Sequence, residues 1–164
     1  MIDAVATKAS ISALELAMLS LLDQGELVDA ETSCVLTHRF APKSEEYGCY
    51  TYARELSIPA GSLIVGKIHK HAHISFLLSG KIVVVSESGR EVMEAPRTFV
   101  SEAGVKRAGY VLEDCVITNV HLTEYGSEDD LNKIEEEVIA KTYSEIGMAE
   151  PNAVLVSQLT EDLT

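Results

Sequence analysis

The stretch Gly61-Ser62-Leu63-Ile64-Val65-Gly66-Lys67-Ile68-His69-Lys70-His71-Ala72-His73-Ile74-Ser75-Phe76-Leu77-Leu78-Ser79-Gly80 decides how this chain reads. Two short apolar, β-rich runs, 62–69 and 73–78, flank a polar Lys70-His71-Ala72. Pro59-Ala60-Gly61 and Ser79-Gly80-Lys81 punctuate the outer ends. The spacing predicts two strands joined by a turn at 70–72. Side chains two apart on a strand share a face, so Lys67 and His69 point the same way and the turn returns the chain beside them at His73.

Outward from this segment the same pattern repeats. Short β-rich runs at 51–58, 82–86, 91–93, 98–100, 106–112 and 116–122 alternate with Ser88-Gly89-Arg90, Ala95-Pro96, Ala103-Gly104 and Glu113-Asp114. Eight short strands separated by turn signals at roughly ten-residue intervals point to a sandwich or barrel. An antiparallel barrel hides its edges and leaves a mouth for a ligand.

Both flanks read as helix. Ile11, Leu14, Met18, Leu21 and Leu22 recur at helical spacing over about 10–23, with Ser10 or Ser12 as cap. Ser127-Glu128-Asp129-Asp130 offers a capping box to a second, acidic helix running through Leu131, Ile134, Val138, Ile139 and Tyr143 toward Gly147. Its Glu135, Glu136 and Glu137 read as a solvated face, and the residues after Pro151 as a loosely held tail. The organisation is then a helical extension and lead-in over 1–47, a barrel over 48–124, and a C-terminal helix with its tail over 125–164. Two amphipathic flanks that need cover favour self-association.

The chain has 164 residues, 46% of them apolar, enough for one domain with a self-supporting core. Its net charge of −13 argues against a binder of duplex nucleic acid or of anionic membranes. The charge is uneven: residues 61–122 are near neutral and hold four of the five histidines, while both flanks are acidic. Cys34, Cys49 and Cys115 are odd in number and without C-x-x-C spacing, which suits reduced thiols in the cytoplasm. The start, with Asp3 and Glu15 and an apolar run broken at Ser20, shows no export signal or membrane span. Tyr47, Tyr50 and Tyr52 form an aromatic cluster suited to packing or a subunit contact. There is no nucleophile elbow and no phosphate-cradling glycine loop.

The Gly61–Gly80 frame resembles the first motif of the cupins: G, five residues, H-x-H, three or four residues, E, six residues, G. Lys67 stands at the first histidine position, His69 at the second and His73 at the glutamate, and Gly80 closes the motif. Glu102-Ala103-Gly104-Val105-Lys106-Arg107 resembles the middle of the second motif, with Arg107 at its histidine and Val111 at its asparagine. The resemblance covers about residues 50–122. The chain is also similar to small cupins encoded by tailed bacteriophages, which implies host cytoplasm or a virion as its location. A single cupin-type antiparallel barrel, or jelly roll, is the fold this implies.

The family's site is a cage of three histidines and one carboxylate for a divalent ion. Here a lysine and an arginine take two of the four positions, and neither can donate a lone pair at neutral pH. If the barrel is built as the resemblance implies, Lys67, His69, His73 and Arg107 face one cavity, joined by His121 from the last strand. That set favours a small anionic ligand, gripped by the two-pronged guanidinium, over a bare metal. A divalent metal held by His69, His71, His73 and His121 is the alternative, with Zn, Ni or Fe suiting imidazoles. A third reading pairs the two cations internally with Glu102 or Glu94 and leaves no ligand. The expected function is a non-catalytic, anion-binding cupin-like protein. The alternatives are a metal-dependent cupin enzyme, or a virion or host-interaction component whose partner is a phage or host protein.

Overall fold

The structure, a computed structural model, describes residues 4–28 and 30–163; Asp3 lies outside them. The fold is mainly β. In chain order, helix α1 (Ala4–Asp23) and a single turn α2 (Ala30–Ser33) precede β1 (Val35–Phe40), β2 (Tyr50–Ile58), β3 (Leu63–Val65) and β4 (Ile68–His69). There follow β5 (His73–Ser86), β6 (Gly89–Glu94), β7 (Arg97–Ser101) and β8 (Ala108–Thr123). The chain ends with α3 (Leu131–Val138), β9 (Ile139–Ala140) and α4 (Ala153–Glu161).

All the pairings are antiparallel. The order β1-β2-β8-β5-β6 forms the main path, with β3 added to β8, β7 added to β5, and a separate β4-β9 pair. The two longest strands, β5 and β8, cross the bend that folds this sheet over on itself. Their register slips between Leu77 and Ile82, where Gly80 has φ of 83°. A Cβ at Gly80 would run into the backbone carbonyl of Asp114, so only glycine lets the two strands approach at the bend. Ile58, Leu77, Ile82, Met93, Val111 and Cys115 meet inside as the core, drawn from both halves of the bent sheet.

Several expectations change here. Ser79-Gly80-Lys81 and Glu113-Asp114 do not end strands but bulge within them, because each pairs across the bend with the other's strand. The run 62–69 is split at Gly66, whose N–H is donated to Arg107 O and not to a ladder partner within the run. The sheet also begins before residue 48. β1 pairs with β2 from Val35 to Phe40 and takes the edge position that β2 would otherwise expose.

α1 begins at Ala4, and Ser10 and Ser12 lie within it. The Ser10 hydroxyl bonds back to Ala6 O instead of capping, in an alanine-rich segment of high helix propensity. Its buried face is Ala9, Ile11, Ala13 and Ala17, while Leu16 and Leu19 are exposed. The acidic helix ends at Val138, well short of Tyr143, because Ile139 turns extended to pair with His69. A 3-10 turn at Ser144–Ile146 then closes on Gly147 in the left-handed conformation. Ser127 precedes a 3-10 turn at Glu128–Asp130 and makes no side-chain cap, its hydroxyl bonding Asp130 instead. The expected loose tail is α4, capped by Asn152, whose side-chain oxygen accepts from Val154 N and Leu155 N, and packed on α1.

Candidate functional site

Three histidines converge where the β4-β9 pair meets the main sheet. His69 ends β4, pairs with Ile139, and accepts Gly104 N–H on its carbonyl. His73 starts β5 opposite Ser101 of β7, and His121 lies near the end of β8 opposite Tyr52 of β2. Their ring centroids are 4.2 Å (His69–His73), 4.4 Å (His73–His121) and 5.1 Å (His69–His121) apart. One ring nitrogen from each can be chosen so that all three lie within 4.8 Å of one another.

Burial controls their charge. It pushes His69 down to about 3, with His73, His121, Arg54 and Arg107 adding in the same direction. It pushes His121 down to about 4, helped by His73, Arg54 and His71. His73 is lowered as well, again mainly by burial, although a bond to His71 O opposes the shift. At neutral pH all three rings are therefore neutral and carry a lone pair. His69 Nδ1 is buried and has no hydrogen-bond partner, which a native interior rarely tolerates without a role for the atom.

A cavity of about 140 Å³ opens beside the cluster, lined by His69, His73, Ser101 and Arg107 at its polar end. Arg107 is half-buried, donates to Ser101 Oγ at 2.7 Å, and lies 5.9 Å from the Phe99 ring centroid. It is in none of the ion pairs among the described residues. Burial lowers its pKa, but a guanidinium keeps its proton in a protein.

Of the sequence-predicted set, the structure brings His69, His73 and His121 together and places Arg107 on the cavity that His69 and His73 line, while His121 packs behind them and does not line it. Lys67 touches the cavity rim, but its ammonium turns outward to Glu135 of α3, both side chains being more than half exposed. The acidic helix is thus not only a solvated face: Glu135 neutralises Lys67, and Glu137 accepts the Thr123 hydroxyl at 2.5 Å. Neither Glu102 nor Glu94 neutralises the site cations; Glu94 pairs with Lys81, and Glu102 is exposed. His71 sits exposed in the turn, outside the histidine cluster, so a four-histidine cage is not formed.

The tyrosine cluster also divides. Tyr47 is exposed, whereas Tyr52 is buried against Phe40 and α3. Its hydroxyl lies 2.6 Å from His38 Nδ1, and its ring stacks toward His121. Sequence reasoning missed Arg54, which faces the same interior as Tyr52 by alternation on β2 and acts on His69 and His121. It also missed the bond that Ser75 donates to Asn119 at 2.8 Å. Period-two alternation in Tyr52-Ala53-Arg54 was the available signal for Arg54.

No family model and no curated protein matches the chain. Among solved structures it is similar to KdgF from Halomonas sp., at 14% identity over 62% of this chain and 87% of that one, with a TM-score of 0.44. It is similar to a cupin domain from Bordetella pertussis tohama I, at 10% identity over 56% and 94%, with a TM-score of 0.42. A third likeness is to salicylate 1,2-dioxygenase from Pseudoaminobacter salicylatoxidans, at 13% identity over 77% of this chain but 33% of that one, with a TM-score of 0.47.

Proposed function

We propose that this protein is a cupin-like small-molecule-binding barrel, in which His69, His73 and His121 hold a divalent first-row metal and Arg107 receives an anionic ligand beside it. One observation carries the reading. Three neutral imidazoles form one cluster, one of them with an unpartnered buried nitrogen, and two of them, His69 and His73, share a cavity wall with a guanidinium that has no acidic partner among the described residues. Imidazole nitrogens suit Zn, Ni or Fe, and a three-histidine set leaves further positions open. Such an ion, when bound, supplies Lewis acidity or redox chemistry to a neighbouring ligand.

The expectation against a metal rested on two cations in the cavity. With Lys67 paired to Glu135, Arg107 on the cavity and Arg54 on β2 remain to repel the ion, and an anion on Arg107 cancels the nearer wall's charge. The chain's own groups divide the work. The histidines stay unprotonated through burial, Arg107 and Ser101 orient an anionic group, and β9 fixes the His69 backbone. Noncatalytic anion binding uses Arg107 and Ser101 alone and is the second reading, favoured by the same unpaired guanidinium.

Elemental analysis of tag-free protein after equilibrium dialysis against Zn(II) or Co(II) separates the two readings. The metal reading expects close to one ion per chain, lost in His69→Gln and His121→Gln variants that keep the circular dichroism of the parent. Well under one ion per chain, with a melting temperature still raised by carboxylate or phosphate, leaves the anion reading standing alone.

A further inference from the structure

The cavity is graded from polar to apolar along its depth, and the strand register sets the gradient. At the mouth, His73 is paired with Ser101, which holds Arg107. One layer inward Ser75 is opposite Phe99 and Asn119, and its hydroxyl is already spent on Asn119. Deeper still, Leu77 is opposite Ile117, and past the Gly80 bend Ile82 is opposite Met93. All of these residues line the one cavity.

We infer that the ligand is a monocarboxylate with a compact hydrocarbon body, its carboxylate on Arg107 and Ser101 and its body directed toward Leu77 and Ile82. This rests on the reading of the cavity as an anion site. Three physical points select that class. A lone guanidinium offers a carboxylate two parallel donors and balances one negative charge, whereas a second charge would enter an apolar chamber unpaired. Inward of Ser75, which donates its proton to Asn119, the wall is Leu77, Ile82, Met93 and Ile117, so a sugar or nucleotide would bury its hydroxyls against carbon. The whole cavity's volume of about 140 Å³ is close to the roughly 150 Å³ apolar cavity that accepts benzene, which limits the body to at most about six carbons.

Titration calorimetry on the full chain at pH 7.5 tests this with acetate, 3-methylbutanoate, cyclohexanecarboxylate, inorganic phosphate and glucose 6-phosphate. The expected result is an affinity at least tenfold higher for cyclohexanecarboxylate than for acetate, with both phosphates weaker than cyclohexanecarboxylate. Arg107→Gln should weaken cyclohexanecarboxylate at least tenfold, and Leu77→Phe, which fills the inner chamber, should remove the advantage over acetate. Phosphate or glucose 6-phosphate binding as tightly as cyclohexanecarboxylate, or affinity flat across the carboxylate series, would overturn the ligand class and leave the anion site intact. Failure of every anion to bind the unaltered chain would overturn the anion site itself. The carboxylate series needs no variant, so a misfolded Arg107→Gln protein would not blunt the test.

Discussion

Leu77→Ala probes the fold and the cavity together. Leu77 is fully buried in the core on β5, it faces the cavity, and it lies beside the bend at Gly80. Truncation to alanine removes three carbons, worth about 0.8 kcal/mol each in transfer from water, or about 2.4 kcal/mol. The space they leave cannot collapse readily, because it joins a hollow framed by the cross-strand neighbour Ile117 on β8 and by Ile82 beyond the bend of β5 itself, so the cavity term raises the expected loss to about 3–4 kcal/mol. Equilibrium urea unfolding followed by far-UV circular dichroism reads this directly, with the slope m unchanged if the loss is in the native state. The enlarged chamber should also admit a longer hydrocarbon body on the ligand. A loss below about 1 kcal/mol with an unchanged slope would mean that Leu77 does not close the inner chamber, and the graded cavity would fall with it.

The bend makes Gly80→Ala severe: positive φ and collision with the Asp114 carbonyl together should cost at least about 2 kcal/mol, read as a drop in melting temperature, and a parent-like melt would contradict the close approach. Acid should destabilise the protein through its buried histidines. The unfolded chain takes up protons near 6.5 while His69 and His121 resist until about 3 and 4, so stability is present above about pH 6.5 and is lost as pH falls toward those values. Urea midpoints in metal-free buffer from pH 8 to 4 should trace this fall and flatten in a His69→Gln, His121→Gln double variant; a midpoint constant down to pH 4 would refute neutral burial. Removing the cap with Asn152→Ala should weaken α4 by about 1 kcal/mol, visible as faster amide exchange over 153–161 with the barrel unaffected.

Much of the site's frame was legible locally. Alternation in Lys67-Ile68-His69 and the turn before His73 are written in neighbouring residues, and so are the Ala103-Gly104 turn and Arg107 three positions on. The same locality explains the errors. Ser79-Gly80-Lys81 carries the composition of a turn, and only the strand lying across it makes it a bulge. Ile139 continues a helical apolar period in sequence, yet its backbone completes a sheet pair with His69, a partner seventy positions away.

The sequence by itself determined the class of fold, because period-two apolar runs broken by glycine and proline leave few arrangements besides antiparallel β, and it determined that histidines and cations would gather in the middle third. Tertiary structure alone decided which charges cancel. Lys67 and Glu135 lie 68 residues apart, and no local propensity encodes their meeting. That meeting removes one cation from the cavity and leaves Arg107 unpaired, and burial strips the protons from His69, His73 and His121. Charge pairing and desolvation depend on what surrounds a group in space, so the same residue types that argued against a metal in sequence form, once folded, a neutral three-imidazole cluster beside Arg107.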